Sequence, residues 1–197
     1  MIQSPAVAPI QLVILPVAQH KPGVLDKANE IKDLLSKNFR VKLDDSDQSA
    51  GWKFAEYEMK GVPVRLEIGP RDIENNQCVL VCRHDRSKTV VSLDNIVEEV
   101  AKKLEEVRAG IYNKALENRE RRSYNCTTMD EIKTAIAEKG DGFVKAMWCE
   151  DPECEDKVKE ETGVGSRCIP LVQETIGDKC VCCGKPAKKL VYWAIAY

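Results

Sequence analysis

The sequence predicts an α/β fold in which a mixed sheet is flanked by helices and is followed by a long connecting helix and a small α+β domain. Short apolar runs alternate with helical periodicity over residues 10–92. A single apolar stripe at helical spacing then continues from about residue 94 to residue 122. Two cysteine pairs lie near the C-terminus, within residues 149–183. We therefore expect three parts, at residues 1–92, 93–122 and 123–197.

The first part is predicted to alternate strands and helices. Aliphatic and β-branched residues with one polar interruption predict a buried strand at residues 10–17. Further strands are expected at residues 41–44, 62–68 and 77–83, and a helix at residues 49–60 that ends at Gly61. Apolar residues at helical spacing predict another helix, which contains Leu25, Ala28, Ile31, Leu34 and Leu35. This alternation favours a largely parallel or mixed sheet.

The connecting helix and the last part are marked by capping residues. Ser92 is placed to cap the long helix, and its last turn carries arginines that complement the helix dipole. Thr128 and Glu131 have the spacing of a capping box, which predicts a short helix that stops at Gly140. The remaining expected elements are a strand at 142–148, a helix at 155–162, an extended segment at 167–171 and a strand at 189–197.

Charge and composition exclude several classes of protein. Residues 1–122 hold 20 Lys+Arg and 19 Asp+Glu, a net of +1, whereas residues 123–197 hold 10 and 13, a net of −3. Nucleic-acid binding would therefore depend on a local patch and not on bulk attraction. No apolar run is long enough to cross a bilayer, and the N-terminus lacks the features of a signal peptide. We expect a cytoplasmic protein with reduced cysteines and no membrane partner.

The two cysteine pairs predict a structural zinc site. Four residues separate Cys149 from Cys154, and two separate Cys180 from Cys183. Four thiolates fill the tetrahedral shell of Zn²⁺ and leave no position for water or substrate, so such a metal stabilises the fold without catalysis. Pairing of Cys180 with Cys182 is the less favourable alternative, and free buried thiols are the other. We therefore take Cys149, Cys154, Cys180 and Cys183 as the ligands.

Other motifs carry less information. Residues 163–167 are rich in glycine, but they follow a helix and precede a strand, the reverse of the order in a phosphate loop. His20 and His84 lie near no matching nucleophile, so we interpret both as loop or surface residues. No catalytic set is apparent.

Residues 51–72 combine groups that bind single-stranded RNA. They contain aromatic side chains for stacking, basic groups for phosphates, and carboxylates and arginines for base edges. The alternative is that Trp52, Phe54 and Tyr57 are core residues of a helix. On the composition of this segment alone, the core interpretation is favoured.

The same segment resembles the anticodon-binding domain of the prolyl-tRNA synthetase family, in its eukaryote/archaeon-like form. The residues that carry this resemblance are Trp52, Lys53, Phe54, Glu58, Lys60, Gly61, Val62, Pro63, Arg65, Glu67, Gly69, Pro70, Arg71 and Asp72. Residues 8–11 are similar to the start of that domain, and residues 160–163, 167–170, 180–187 and Tyr197 are similar to the zinc-binding C-terminal domain of the family. The resemblance covers residues 8–197.

The resemblance implies a role for each matching residue. Glu58 and Arg65 would hydrogen-bond the two guanines of the proline anticodon. Phe54 would stack on a base, Lys53 would meet a phosphate, and Asp72 would help to hold the last anticodon base. The four cysteines would bind zinc, and the carboxylate of Tyr197 would reach toward the catalytic domain.

The resemblance also limits what the chain is expected to do. The class II catalytic domain, with its ATP-binding arginines and proline pocket, is absent from these 197 residues. ATP is therefore a cofactor of the parent enzyme only, and this chain alone is expected to be inactive. We expect a fragment that recognises the anticodon of proline tRNA. A free-standing RNA- or protein-interaction module with a structural zinc site is the alternative.

Overall fold

The computed structural model describes residues 2–140 and 142–196. The chain divides into two compact units, residues 1–114 and 115–197, and the long helix crosses this division. Both units combine helices with a sheet, and the predicted fold class is confirmed. Among the described residues, no helix is both long and apolar enough to cross a membrane.

The first unit is built on a five-stranded mixed sheet with the strand order β2-β1-β3-β4-β5. Its strands are β1 (Leu12–Pro16), β2 (Val41–Leu43), β3 (Val64–Ile68), β4 (Gln77–Cys82) and β5 (Lys88–Ser92). The first three strands run parallel, whereas β4 is antiparallel to both β3 and β5.

Helices pack against both faces of this sheet. They are α1 (Val24–Leu35), α2 (Ala50–Met59), α3 (Pro70–Glu74) and α4 (Ile96–Arg121). Leu12 and Ile14 belong to the main core with residues of α1 and α4, whereas Val13 and Leu15 pack with Tyr57 of α2 on the other side. Because β1 is buried on both faces, its sequence is an unbroken apolar run.

The second unit contains a four-stranded sheet with the order β6-β7-β9-β8 and two helices. Its elements are β6 (Ser123–Asn125), α5 (Met129–Lys139), β7 (Phe143–Trp148), α6 (Pro152–Thr162), β8 (Val164–Cys168) and β9 (Lys189–Ile195). The predicted cap of α5 is present, because Thr128 Oγ1 accepts a hydrogen bond from the Glu131 amide at 3.2 Å. Trp193 and Ile132, both 0% exposed, anchor the core of this unit. Tyr197, to which a role was assigned from the sequence, lies outside the described residues.

Candidate nucleic-acid interface and metal centre

Arg65 lies at the centre of a charged cluster on the face of the first sheet that packs against α2. Alternation along β3 places Arg65 and Glu67 on this face while Leu66 enters the core. The Arg65 Nε donates to Glu67 Oε1 at 2.9 Å, and Nη2 lies 2.8 Å from the same oxygen. Its Nη1 donates to Glu58 Oε1 of α2 at 3.3 Å. The guanidinium carbon lies 4.2 Å from the centre of the Phe54 ring. We call these four residues the Arg65 cluster.

Burial differs between the two carboxylates of the Arg65 cluster. The side chains of Arg65 and Glu67 are 12% and 13% exposed, whereas that of Glu58 is 35% exposed. Lys88 of β5 places its Nζ 3.8 Å from Glu67 Oε2. Glu58 and Arg65 also line a shallow cavity together with Arg83 and Arg86. The surface therefore offers a carboxylate acceptor and guanidinium donors side by side, within a basic surround.

A buried polar network holds α2 in place. The Nζ of Lys53 donates to the Gln19 Oε1 at 3.0 Å and to the Asp44 carbonyl oxygen at 2.9 Å, and it lies 3.7 Å from Asp44 Oδ1. Burial, reinforced by the charge of Asp44 and a hydrogen bond with it, raises the pKa of the Tyr57 hydroxyl. Burial also opposes ionisation of Asp44, but hydrogen bonds from Ser46 and Tyr57 and the charge of Lys53 hold its pKa below the ordinary value.

Lys53, which is expected from the sequence to contact a phosphate, has a buried side chain. Lys53 is 2% exposed, and its ammonium group is directed into the network with Gln19 and Asp44. A phosphate contact would require this group to leave its buried partners, so the contact expected from the sequence stays a prediction that needs a change of side-chain conformation. The aromatic residues of α2 also divide, because Tyr57 is 3% exposed and belongs to the core whereas Trp52 is 47% exposed.

Asp72 lies at the N-terminus of α3, just after β3. Its Oδ2 accepts a hydrogen bond from the Gly69 amide at 2.9 Å, so the carboxylate caps this short helix. The cap fixes the turn at the end of the strand that carries Arg65 and Glu67. The contact of Asp72 with the last anticodon base stays a prediction.

Glu67 is the residue of this surface to which sequence reasoning gave no role. It was noted only as part of the resemblance. The signal that could have found it is its separation of two residues from Arg65 on an alternating strand, which places both on one face. Glu58 and Arg65, which the sequence did single out, are brought together by the turn between α2 and β3.

The four predicted cysteines form a second candidate site, a metal centre. The Sγ atoms of Cys149, Cys154, Cys180 and Cys183 all lie within 4.8 Å of one another. Cys149 follows β7, Cys154 lies in the first turn of α6, and the other two lie on a tight turn closed by Gly184, whose amide donates to the Cys180 carbonyl at 3.0 Å. Gly184 adopts the left-handed conformation that this turn requires, with φ of 71°.

The geometry of the sulfur atoms fits a tetrahedral ion. Cys149 Sγ lies 3.7 Å from the sulfur atoms of both Cys154 and Cys183. Tetrahedral zinc with Zn–S bonds of about 2.3 Å requires sulfur atoms about 3.8 Å apart. Burial raises the pKa of the Cys149 and Cys154 thiols, whereas the backbone amide of Lys185 lowers that of Cys183 to about 7. Since metals bind the thiolate, an ion here would have to displace protons from the buried pair.

Comparison with known proteins finds family matches over both regions that contain the candidate sites. Residues 11–103 match the family described as anticodon binding domain, and residues 129–197 match the one described as prolyl-tRNA synthetase, C-terminal. The chain is 57% identical over 197 residues to the proline–tRNA ligase of Ruminiclostridium cellulolyticum. It is 55% identical over 193 residues to that of Clostridium botulinum and 54% identical over 193 residues to that of Clostridium novyi. The chain contains an anticodon-binding domain and a prolyl-tRNA synthetase C-terminal domain.

Each of the two matched regions contains one of the candidate sites. The anticodon-binding region contains the whole Arg65 cluster, and the C-terminal region contains all four clustered cysteines. The matches include 100% of this chain but 41% of the Ruminiclostridium ligase, and 98% of this chain but 40% of the C. botulinum ligase. The chain therefore spans about two fifths of the length of the curated relatives that it matches.

Proposed function

We propose that this chain recognises the anticodon of proline tRNA as part of a prolyl-tRNA synthetase. The observation that carries the proposal is the Arg65 cluster, where a guanidinium group and a carboxylate stand 3.3 Å apart at the surface of an anticodon-binding domain. The parent enzyme would use ATP to join proline to the tRNA, with a catalytic domain that is not among these residues. Recognition and orientation of the tRNA are the tasks assigned to this chain.

The chemistry of the Arg65 cluster suits guanine. An arginine fork donates two hydrogen bonds to the O6 and N7 acceptors of guanine, and a carboxylate accepts from its N1 and N2 donors. In the proposal Arg65 and Glu58 bind the two guanines of the proline anticodon in these ways. Phe54 supports the guanidinium plane and adds a stacking surface. Asp72 would help to hold the last anticodon base.

Binding of anticodon stem–loop RNA tests this proposal. The wild-type chain should bind a stem–loop with the proline anticodon more tightly than one in which either guanine is replaced by adenine. Arg65→Ala should remove about 1–3 kcal/mol of discrimination at one of the two bases. Arg108→Ala serves as the matched control, because Arg108 is an exposed arginine of α4 that pairs with Glu105. Equal affinity for the two stem–loops would contradict the proposal and favour an interaction module of another kind.

We also propose that the four clustered cysteines hold one structural Zn²⁺. The sulfur separations and the all-thiolate donor set support this assignment. Such an ion would join the end of β7, the start of α6 and the turn after residue 179, and it would leave no coordination position for a substrate. The site would therefore act on the fold of the C-terminal domain.

Metal analysis and two cysteine variants test the zinc assignment. The purified chain should contain about one zinc per molecule, and a strong chelator should unfold the second unit. Cys154→Ser should lower the zinc content, whereas Cys182→Ser should leave it unchanged, since Cys182 is outside the group of four. A folded second unit without metal would refute the assignment.

The remaining features of the proposal follow from the family. Domains at residues 1–92 and 123–197, joined by a helix at 93–122, would separate anticodon recognition from the zinc-binding domain. The terminal carboxylate of Tyr197 would reach toward the catalytic domain of the parent enzyme. A cytoplasmic location agrees with a role in protein synthesis.

A further inference from the structure

The two carboxylates that contact Arg65 differ in how firmly they hold it. We propose that Glu67 is a positioning residue that fixes the Arg65 guanidinium for reading guanine, while Glu58 is the carboxylate that leaves Arg65 when RNA binds. This inference rests on the proposed recognition of the anticodon, and it adds a residue to which the resemblance assigned no role.

The contact with Glu67 uses one defined edge of the guanidinium group. Nε and Nη2 of Arg65 both approach Glu67 Oε1, at 2.9 and 2.8 Å. A guanidinium has five N–H donors, and this contact uses one from Nε and one from Nη2. The opposite edge, formed by Nη1 and the second N–H of Nη2, keeps the parallel pair of donors that the O6 and N7 atoms of guanine require.

Position and burial favour Glu67 as the permanent partner. Glu67 and Arg65 lie two residues apart on β3, so no movement between elements is needed to keep them together. Their side chains are 13% and 12% exposed, and a charge-assisted hydrogen bond is stronger where water is excluded. The second oxygen of Glu67 faces Lys88 Nζ at 3.8 Å, so each oxygen of the carboxylate has a cationic neighbour.

Glu58 is held less firmly. It lies on α2, a separate element, and makes one contact of 3.3 Å with Nη1, the nitrogen on the edge that guanine needs. Its side chain is 35% exposed, so water or RNA replaces this contact at small cost. When a base replaces Glu58 as the partner of Arg65, the Nη1 donors of Arg65 and the carboxylate of Glu58 both become free to bind RNA.

A base analogue isolates the contact that Glu67 is proposed to support. The experiment measures binding of the full 197-residue chain to a proline anticodon stem–loop in which one guanine is replaced by 7-deazaguanine, which lacks the N7 acceptor. The wild-type chain should lose about tenfold in affinity at the guanine read by Arg65, equivalent to about 1.4 kcal/mol. This guanine is identified as the one whose 7-deaza penalty disappears in Arg65→Ala.

Variants of Glu67 then separate its geometry from its charge. Glu67→Ala should reduce the 7-deaza penalty to less than about twofold. Glu67→Gln keeps the side-chain length and an acceptor oxygen, so most of the 7-deaza penalty should remain. Glu67→Asp keeps the charge but moves it away from Arg65, so most of the penalty should be lost. Glu30→Ala, which removes an exposed ion pair with Lys27 of α1, should change nothing. If the alanine variant does not fold, the comparison of Gln with Asp decides.

The outcomes distinguish this inference from the proposed function. If the wild-type chain shows the 7-deaza penalty and Glu67→Ala retains it, Glu67 does not position Arg65 and the inference is overturned while anticodon recognition stands. The same conclusion follows if Glu67→Asp retains the penalty and Glu67→Gln loses it. If the wild-type chain does not distinguish the proline anticodon from a replaced one, the proposed function itself fails.

Discussion

The burial of the Lys53 ammonium group predicts that this side chain stabilises the packing of α2 on the first unit. Replacement by methionine keeps most of the side-chain volume but removes the charge and both hydrogen bonds, to Gln19 Oε1 at 3.0 Å and to the Asp44 carbonyl at 2.9 Å. It also leaves the buried Asp44 carboxylate without its cation, 3.7 Å away. Lys53→Met should therefore destabilise the first unit, and it should do so without a direct effect on RNA phosphates.

The expected magnitude follows from what Asp44 keeps. Removing one partner of a buried ion pair costs about 3–5 kcal/mol when the other is left uncompensated. Asp44 still accepts from the Ser46 amide at 3.0 Å, and Tyr57 still bonds to it, so the loss belongs at the lower end. We expect the free energy of unfolding to fall by about 3 kcal/mol.

Hydrogen exchange of the α2 amides measures this loss in the first unit separately from the second. Lys27→Met is the matched control, since it removes a lysine whose pair with Glu30 lies at the surface, and its effect should stay within about 0.5 kcal/mol. If Lys53 contacted a phosphate of the single-stranded anticodon loop, Lys53→Met would reduce the steepness of log affinity against log salt by about 0.7. Native-like stability of Lys53→Met combined with such a decrease in slope would refute the buried-network reasoning.

Three further predictions concern single sites in the fold. Gly110→Ala would place a Cβ 2.2 Å from His84 Cδ2, so it should destabilise the first unit by about 1–3 kcal/mol in urea unfolding. The control is Gly51→Ala on α2, whose Cβ would meet nothing within 4 Å and which should be neutral or stabilising. Thr128→Ala removes the cap of α5 and should lower the stability of the second unit by about 1 kcal/mol by the same measurement, while an unchanged midpoint would contradict the capping role. The pKa of Asp44 is lower in the fold than its ordinary value of 3.8. Its stabilising contribution is therefore present above about pH 4 and is lost as the pH falls through the folded pKa. Asp44→Asn should flatten the acid side of the profile of stability against pH, and an unaltered profile would count against this.

Local pattern was sufficient for the elements that are long or buried. The apolar run of β1 and the stripe of α4 each predicted an element that the structure contains. The strand β5 was not predicted, because Lys88–Ser92 is short, lies at the edge of the sheet and buries only Val91 fully. Its conformation depends on pairing with β4, and such a contact between strands cannot be read from the sequence of five residues alone.

The two candidate sites also differ in how far local sequence pattern predicts them. Each cysteine pair lies within one turn of chain, so spacing alone brought all four residues into the prediction. Glu58 and Arg65 lie on different elements, and only the family resemblance singled them out. The burial of Lys53 depends on Gln19, which is 34 positions away in sequence, and a helix pattern gives no sign of such a partner. Contacts between elements therefore account both for the strand β5 that was not predicted and for the burial of Lys53, which was not predicted either.

On the proposed function, the contact between Glu58 and Arg65 would make one surface both stable without RNA and selective for guanine. Without RNA, the two side chains partly neutralise each other at 3.3 Å, so neither charge is left alone beside the sheet. Guanine offers acceptors at O6 and N7 and donors at N1 and N2, so the two guanines of the anticodon can satisfy Arg65 and Glu58 when these side chains separate. Adenine presents its N6 donor where O6 stands in guanine and an acceptor at N1, so it would face Arg65 with a donor and Glu58 with an acceptor. Selectivity on the proposed function therefore comes from repulsion of adenine as much as from attraction of guanine.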